Sequence, residues 1–579
     1  MSDGPRTVGA APGPSARRRV TGTSSPTRQA PPAAGAAPSP PVESVPGTPP
    51  ASAPADAPAT RGFLARAALL TAVLSAAGAL LGLVRDQTLA RMFGAGSATD
   101  AFLVAWTVPE FAATLLIEDG LAIALIPAFS MALARRAGGA AGDPVRSLVA
   151  HTLPRLALAF AAVGALLAVL APQVVGVLAP GLPDPGLAVD CTRLTATCVL
   201  SFGLAGYCSA ALRAHRRFLA PAAIYVAYNT GIITAVLLLG GRWGVRAAAA
   251  GVAFGGCLMV LAQVPVLWRE LRHKGAAAAR PATGAGDGRA MGVALLAAVL
   301  LFALCRQSQV LIERFLGSAL PAGAISHLNF AQKIAQIPMT LSLMLCTVTF
   351  PVVARALAEG DTERARGRVE RDLALAASMV LAGGAVVVAC APQIVELLLQ
   401  RGAFTARDTA ATVEVMRVYA LGLLAHTLVG ALIRSYFSAG RVTWFPLGAM
   451  AAGLAVTAVA GAWAVGPWGV RGIAAANAAG ITVTAALLMA GLAGRGVPIR
   501  TRRVWAQLAR PVGAAVPATL AGAWAAGRSG SPLLALTAGA VTVAVVFLPL
   551  GRALGDQGCV TALQSLRSVS RRLPHGRTR

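Results

Sequence analysis

The feature that most constrains this chain is a series of apolar blocks, each about 20 residues long, separated by short loops rich in arginine or glycine. A helix of about 20 residues crosses the hydrocarbon layer of a bilayer. Inside that layer every backbone polar group needs a partner within the segment, so such blocks are expected to be helical. Only 13% of the residues are charged, about half the share in soluble proteins. The sequence therefore predicts an all-α integral membrane protein.

Counting apolar runs predicts about 14 transmembrane helices. The second run is long and is interrupted by Pro109 and by Glu118-Asp119-Gly120, which predicts a broken or strongly tilted helix. The eighth run carries Pro338 in a similar place. The predicted spans are roughly 64–84, 101–133, 153–178, 194–212, 220–240, 247–268, 291–315, 324–353, 373–398, 413–437, 443–465, 470–492, 505–526 and 531–550.

The chain also contains a weak internal duplication. Ala171-Pro172-Gln173 recurs as Ala391-Pro392-Gln393, and the segment from Gly241 to Arg246 recurs, with changes, from Gly466 to Arg471. The offset covers six predicted helices, so both copies have the same orientation in the membrane. This arrangement is typical of two-lobed secondary transporters, with a substrate site between the lobes. We therefore predict two pseudo-symmetric six-helix lobes followed by two C-terminal helices.

The loops add a topology to this plan. Arginines concentrate after spans two, four, six, eight, twelve and fourteen, and the intervening loops hold few basic residues. By the positive-inside rule both termini are expected to be cytoplasmic. The predicted regions are a disordered cytoplasmic Pro/Ala-rich tail (1–60), an N-lobe (61–275), a C-lobe (290–493), two extra helices (504–551) and a basic cytoplasmic tail (552–579).

The net charge of +27 does not predict nucleic-acid binding here, because the basic residues lie in tails and loops beside the membrane. Anionic lipids near the cytoplasmic loops are the expected partner. The eight cysteines lie mostly inside apolar blocks without the paired spacing of a metal site. We read them as small packing residues, and no metal or other cofactor is predicted.

Charged residues at membrane depth cost about 2.5–3.5 kcal/mol each on insertion scales, so each needs a reason. One set lies near the first two spans, and a second lies in the corresponding helices of the other lobe. Lys333 is notable, because Lys274 is the only other lysine in the chain. We expect a wet, positively charged cavity between the lobes. Its candidate residues are Arg85, Asp100, Lys333, Arg306 and Glu118, whereas Glu110, Asp119, Glu313 and Arg314 are read as structural.

Two segments carry a family resemblance. Residues 82–102, GLVRDQTLARMFGAGSATDAF, resemble the opening of the murein lipid II flippases (MurJ, also called MviN), which belong to the multidrug/oligosaccharidyl-lipid/polysaccharide exporter superfamily. The segment from Ala322 to Pro351, containing NFAQKIAQIP, resembles the eighth helix of that family. The resemblance covers about residues 63–550.

The resemblance implies that Arg85, Asp100 and Lys333 line a central cavity that binds a diphosphate and its sugar-peptide head group. It also implies that the two extra helices form a groove for the polyprenyl tail, and that energy comes from the membrane potential or an ion gradient. The chain departs from the family pattern at Ala79, Ala113 and Thr114, where basic residues are usual.

We therefore predict a flippase that carries lipid II from the inner to the outer leaflet of the bacterial cytoplasmic membrane by alternating access. A flippase for another lipid-linked oligosaccharide and a non-transporting membrane scaffold of the same fold stay open as alternatives. A drug or cation antiporter is disfavoured, because its pocket would be acidic. An enzyme is also disfavoured, because a glycosyltransferase needs a catalytic acid in a structured outer loop, where Asp184 and Asp190 are the main acids. The cell-wall synthesis machinery is a further expected partner.

Overall fold

The computed structural model describes residues 59–118, 120–139, 142–272, 293–344, 359, 361–438, 443–495 and 499–560. Asp119, most of the predicted N-terminal tail (1–58) and the last part of the predicted basic tail (561–579) lie outside the described residues. Every regular element within the described ranges is helical.

The first half of the described chain contains eleven α-helices and one π-helical turn. They are α1 (Ala59–Phe93), α2 (Ser97–Ala105), α3 (Thr107–Ala112), the π-helical turn (Ala113–Glu118), α4 (Gly120–Ala137), α5 (Pro144–Val169), α6 (Ala171–Leu178), α7 (Pro185–Ala196), α8 (Cys198–Ala214), α9 (Leu219–Trp243), α10 (Arg246–Leu261) and α11 (Val264–Arg272).

The second half of the described chain is also helical. Its helices are α12 (Val293–Ser318), α13 (Ala324–Ala335), α14 (337–344), α15 (Thr362–Ala389), α16 (Ala391–Leu399), α17 (Ala406–Ala420), α18 (Leu423–Ser438), α19 (Phe445–Arg495), α20 (Thr501–Ala526) and α21 (Pro532–Ala553).

Within the described ranges, nine helical stretches are long and apolar enough to cross a membrane. A tenth crossing is added if α17 and α18, which meet at an angle of 49°, are counted as one span. The all-α membrane class is thus confirmed, whereas the count of 14 spans stays a prediction. Helix α12 is 26 residues long and carries Arg306, Glu313 and Arg314 in its second half.

The predicted break in the second span is a π-helical turn between α3 and α4. A π-helix inserts one extra residue per turn and is frequent at functional sites. Gly120 follows this turn, and a Cβ atom at that position would lie 2.1 Å from the carbonyl oxygen of Leu115. Only glycine fits at such a distance, so the sequence allows the tight backbone approach that ends the turn.

The duplication is visible in the backbone as well as in the sequence. Gly244, between α9 and α10, has φ 56° and ψ −141°, and Gly469, inside α19, has φ 55° and ψ −134°. Both conformations are accessible mainly to glycine. Two short helices, α6 and α16, likewise begin with Ala-Pro after a break in a long helix. The two halves therefore bend at equivalent places, as the two-lobed prediction requires.

Each half packs mainly against itself. In the N-lobe α8 packs against α4, α5 and α10, and α2 packs against α7; in the C-lobe α19 packs against α12, α17 and α18. The lobes meet where α2 contacts α13 and where α12 contacts α3 and α6. We call this contact region the lobe seam. Helices α20 and α21 pack against each other and against α15.

Candidate substrate site at the lobe seam

Helix α1 brings two adjacent charged residues to the lobe seam. The Arg85 guanidinium donates from Nε (2.9 Å) and Nη2 (2.8 Å) to Asp86 Oδ1, and from Nη1 (3.1 Å) to Asn229 Oδ1. Arg85 and Asp86 are only 9% and 8% exposed. Removing either ion would leave the other one buried without its partner, which is strongly unfavourable. The pair is therefore held in one orientation.

The other lobe contributes a second cation to this pair. Lys333 Nζ, from α13, lies 3.3 Å from Asp86 Oδ2, and its side chain is 30% exposed. The Trp106 ring lies close to both cations, with its centroid 4.6 Å from Arg85 Cζ and 5.6 Å from Lys333 Nζ. Two cations share one carboxylate, and the ammonium group of Lys333 is partly open. Such a group can bind an anion.

Asn229 positions the cluster and was not identified from the sequence. Its side-chain Nδ2 donates to the carbonyl oxygens of Gly78 (3.1 Å) and Tyr225 (2.9 Å), while its Oδ1 accepts from Arg85. The amide thus ties α9 to α1 and directs the guanidinium toward Asp86. A single asparagine inside an apolar block carries no sequence signal for this role.

Asp100 also crosses the lobe seam, but in a different way. Its carboxylate accepts from the backbone N–H of Gly323 and of Ser326 (both 2.7 Å) and from Ser326 Oγ (2.5 Å). Gly323 has φ 95° and immediately precedes α13. Asp100 therefore caps the N-terminus of a helix in the other lobe and is only 3% exposed. Its expected place in the lining of a cavity stays a prediction, and in the structure its carboxylate joins the two lobes.

The remaining two candidate residues lie outside the cluster. Glu118 ends the π-helical turn and accepts a hydrogen bond from Tyr225 Oη at 3.1 Å. Arg306 is exposed on α12. The structure thus brings Arg85 and Lys333 together at Asp86, places Asp100 at a separate contact between the lobes, and leaves Glu118 and Arg306 apart from both.

A second polar network lies inside the C-lobe. Glu313, only 3% exposed, accepts hydrogen bonds from Gln332 Nε2 (2.7 Å) and from Asn477 Nδ2. Asn477 Oδ1 lies 3.1 Å from His426 Nε2, which lies 3.3 Å from Tyr419 Oη. Glu313 was read from the sequence as a structural residue. The structure shows a carboxylate enclosed by amide donors from two other helices.

Several buried polar atoms on the helices at the lobe seam have no hydrogen-bond partner within the described residues. Buried polar groups in proteins are nearly always satisfied by protein or water. An array of unsatisfied donors and acceptors is therefore suited to a polar ligand or to ordered water between the lobes. The atoms are Thr107 Oγ1 and Glu110 Oε2 of the N-lobe, and Gln309 Nε2, Arg314 Nε and Asn329 Oδ1 of the C-lobe.

An apolar cavity of about 1010 Å³ lies beside the same seam. Val108 and Phe111 of α3 line one side, and Leu311 and Phe315 of α12 line the other. The unsatisfied polar atoms of Thr107, Glu110, Gln309 and Arg314 lie on α3 and α12, the helices that line this cavity. A charged head group and a hydrocarbon chain could both be accommodated there. No group of three or more potential metal ligands occurs in the part of the chain that the structure describes.

Comparisons with known proteins agree with these features. The family model for "Lipid II flippase MurJ" matches residues 89–537, a range that includes Asp100 and Lys333 and begins four residues after Arg85. The "Probable lipid II flippase MurJ" of Rhizobium meliloti is 28% identical over 441 residues, covering 73% of this chain and 80% of the relative. The "Lipid II flippase MurJ" of Burkholderia cenocepacia is 26% identical over 458 residues, covering 75% and 84%.

Two solved structures share the fold. One is described as "Lipid II flippase MurJ, inward closed conformation", with a TM-score of 0.65 and 16% identity, covering 83% of this chain and 98% of that chain. The other is an inward-facing multidrug resistance MATE family transporter of the MOP superfamily, with a TM-score of 0.56 and 14% identity, covering 72% and 96%.

Proposed function

The chain belongs to the lipid II flippase MurJ family, and on that premise we propose that it moves lipid II from the inner to the outer leaflet of the bacterial cytoplasmic membrane. Lipid II is a peptidoglycan precursor linked to undecaprenyl diphosphate. The observation that carries the proposal is the charge cluster at the lobe seam, in which Arg85 and Lys333 come from opposite lobes and share Asp86.

The cluster supports recognition of a diphosphate. Lys333 is the more accessible cation, and its 3.3 Å contact with Asp86 is its one ion pair within the described residues. A phosphate group that approaches Lys333 would compete with Asp86 for the ammonium group. Arg85 would keep Asp86 in place through its two N–H donors. Substrate binding would thus replace a contact between the lobes by a contact to the substrate.

Alternating access is supported by contacts that close one end of the lobe seam. The backbone N–H of Ala403 donates to Arg91 O (2.9 Å), and the backbone N–H of Gly181 donates to Ser318 Oγ (3.3 Å). Asp100 adds its cap on α13 near the same end. With both termini in the cytoplasm, this end faces outward. The cytoplasmic side would then receive the head group, and breaking these few contacts would release it outward.

The substrate tail needs an apolar path during this movement. The cavity beside α3 and α12 offers such a path, so the chain of an isoprenoid could stay in apolar surroundings while the head group crosses. We propose that the membrane potential or an ion gradient provides the energy, without a cofactor.

A flippase for another lipid-linked oligosaccharide is the second candidate. Alanines at positions 79 and 113, where the family usually has basic residues, leave the seam with fewer cations than a lipid II flippase of the usual pattern. This difference favours a head group with less negative charge or a different glycan.

The decisive test combines depletion and reconstitution. The chain should restore growth of a bacterium depleted of its own lipid II flippase, and the purified protein in liposomes should move labelled lipid II across the bilayer. A chain that restores neither growth nor movement of lipid II, but moves another undecaprenyl-linked glycan, would establish the second candidate. A chain that moves neither lipid would support a scaffold.

A further inference from the structure

A second polar cavity, of about 220 Å³, lies far from the lobe seam at the arginine-rich end of the molecule. It is formed by the first turns of α15 and α20 together with the segment that follows α21. The cavity lies where the C-lobe and the two extra helices meet. Its charged residues are Glu363, Arg366, Glu370, Arg371, Arg500 and Arg503.

The charges in this cavity do not cancel. Glu370 is 8% exposed and accepts a hydrogen bond from the backbone N–H of Arg500 at 2.8 Å. Glu363 pairs with both Arg366 and Arg500. Both acids are therefore occupied, and Arg371 and Arg503 form no ion pair within the described residues. Four arginines against two glutamates leave an excess of two positive charges, which suits a phosphate group.

The cavity is built from firmly anchored elements. Asp556, only 2% exposed, accepts from Ser378 Oγ of α15 (2.9 and 2.8 Å) and from the backbone N–H of Cys559 (3.1 Å). The Arg510 guanidinium of α20 donates to the carbonyl oxygen of Gly555 (2.9 Å). These bonds tie the segment after α21 to both helices, so the arginines project from a defined frame.

The position of the cavity identifies the source of the phosphate. Helices α15 and α20 begin here, so the arginines lie at the membrane surface. Trp505 follows Arg503 by two residues and is 45% exposed, as is usual for tryptophans at the level of lipid head groups. We propose that the cavity binds the phosphate head group of an anionic phospholipid, which bridges the C-lobe and the two extra helices. This lipid site is separate from the proposed substrate site, so its occupancy does not require lipid II.

The cavity can be altered in two independent ways. Arg371→Ala with Arg503→Ala removes the excess charge and leaves the frame. Gly367→Leu fills the space, because a Cβ atom at Gly367 would have no atom within 4 Å. The matched controls are Arg502→Ala with Arg552→Ala, exposed arginines at the same end but outside the cavity, and Gly448→Leu, which also has free space around its Cβ position.

The experiment measures thermal stability and native mass spectra of the purified full chain in neutral detergent. The additions are phosphatidylglycerol, phosphatidylcholine and inorganic phosphate at equal concentrations. We expect phosphatidylglycerol to stabilise and remain bound to the wild type and both controls. Its apparent affinity should fall about 10- to 30-fold in the double arginine variant and to a similar extent in Gly367→Leu, and it should weaken with salt in the wild type.

Equal lipid binding by the wild type and by whichever cavity variant folds would overturn the proposal. Stabilisation by inorganic phosphate as strong as that by phosphatidylglycerol would show a free-anion site instead of a lipid site. A wild type that retains phosphatidylcholine as well as phosphatidylglycerol would also reject it, even if neither variant can be purified. None of these readouts involves lipid II, so failure here leaves the flippase proposal intact.

Discussion

The two lobes have backbone bends at equivalent positions but differ in their buried polar residues. Gly244 and Gly469 have nearly the same backbone angles, and α6 and α16 both begin with Ala-Pro. These bends depend on what glycine and proline do to the local backbone, so they persist in a duplicated sequence. The polar interior depends on distant partners, and there the lobes have diverged.

The divergence is clearest in the charged residues. The N-lobe presents a fully charged pair, Arg85 and Asp86, to the lobe seam, where Lys333 of the other lobe meets it. The C-lobe encloses Glu313 among neutral amides of its own helices. Arg306, in the helix that corresponds to α1, is exposed. The seam cluster is therefore asymmetric, and a function in transport should depend on the N-lobe pair and Lys333 rather than on Arg306.

The largest expected effect, on growth and transport, separates Arg85 and Lys333 from Arg306. Arg85→Ala or Lys333→Ala should abolish growth of a flippase-depleted strain, because each removes a cation that we expect to bind the diphosphate and Arg85→Ala also leaves Asp86 without its main partner. Arg306→Ala is the matched control and should support growth. Lipid II movement in liposomes should fall at least tenfold in the first two variants. Loss of growth with Arg306→Ala, or normal growth with Lys333→Ala, would contradict the asymmetry.

A smaller effect should distinguish a helix cap that joins the two lobes from a helix cap within one lobe. Asp100 caps α13 across the seam, whereas Asp408 and Thr405 form a capping box on α17 inside the C-lobe. Asp100→Ala and Asp408→Ala should each lower stability by about 0.5–2 kcal/mol, measured as unfolding of the purified protein. Only Asp100→Ala should also widen the distance between spin labels on the two lobes at the closed end. Equal distances in both variants would show that Asp100 does not hold the lobes together.

A third prediction compares two buried asparagines, Asn229 at the lobe seam and Asn477 inside the C-lobe. Asn477→Leu removes a donor to Glu313 within the C-lobe, and Asn229→Leu removes the acceptor for Arg85 at the seam. Each leaves a buried polar group without a partner, at a cost of about 1–3 kcal/mol. Both variants should melt at lower temperature. Transport per folded molecule should fall in Asn229→Leu and be retained in Asn477→Leu; the reverse order would place the essential polar group in the C-lobe.

Features that depend on nearby residues could be predicted from the sequence, whereas contacts between residues far apart in the chain could not. The all-α membrane class and the broken second helix depend on runs of neighbouring residues, and the sequence predicted both, whereas the count of 14 spans stays a prediction. Arg85 and Lys333 were singled out because charges at membrane depth are costly, and their role in substrate binding stays a prediction. Asn229 was missed, since its partner Arg85 lies 144 residues away. The capping role of Asp100 depends on α13, more than 220 residues further along the chain, and no local pattern could show it.

The smallest expected effect tests whether the bends at Gly244 and Gly469 contribute equally to stability. Gly244→Ala and Gly469→Ala place a side chain at positive φ, while the space around each Cβ position is free. The cost should thus be backbone strain alone, about 1–3 kcal/mol, and should be the same in both lobes. Gly241→Ala and Gly466→Ala also have free space but lie in helical backbone, where alanine is favoured, so they should not destabilise. Unfolding of the four variants measures this, with transport unchanged throughout. If only one of the two variants lost stability, the two bends would share their backbone angles but not their contribution to the free energy of unfolding.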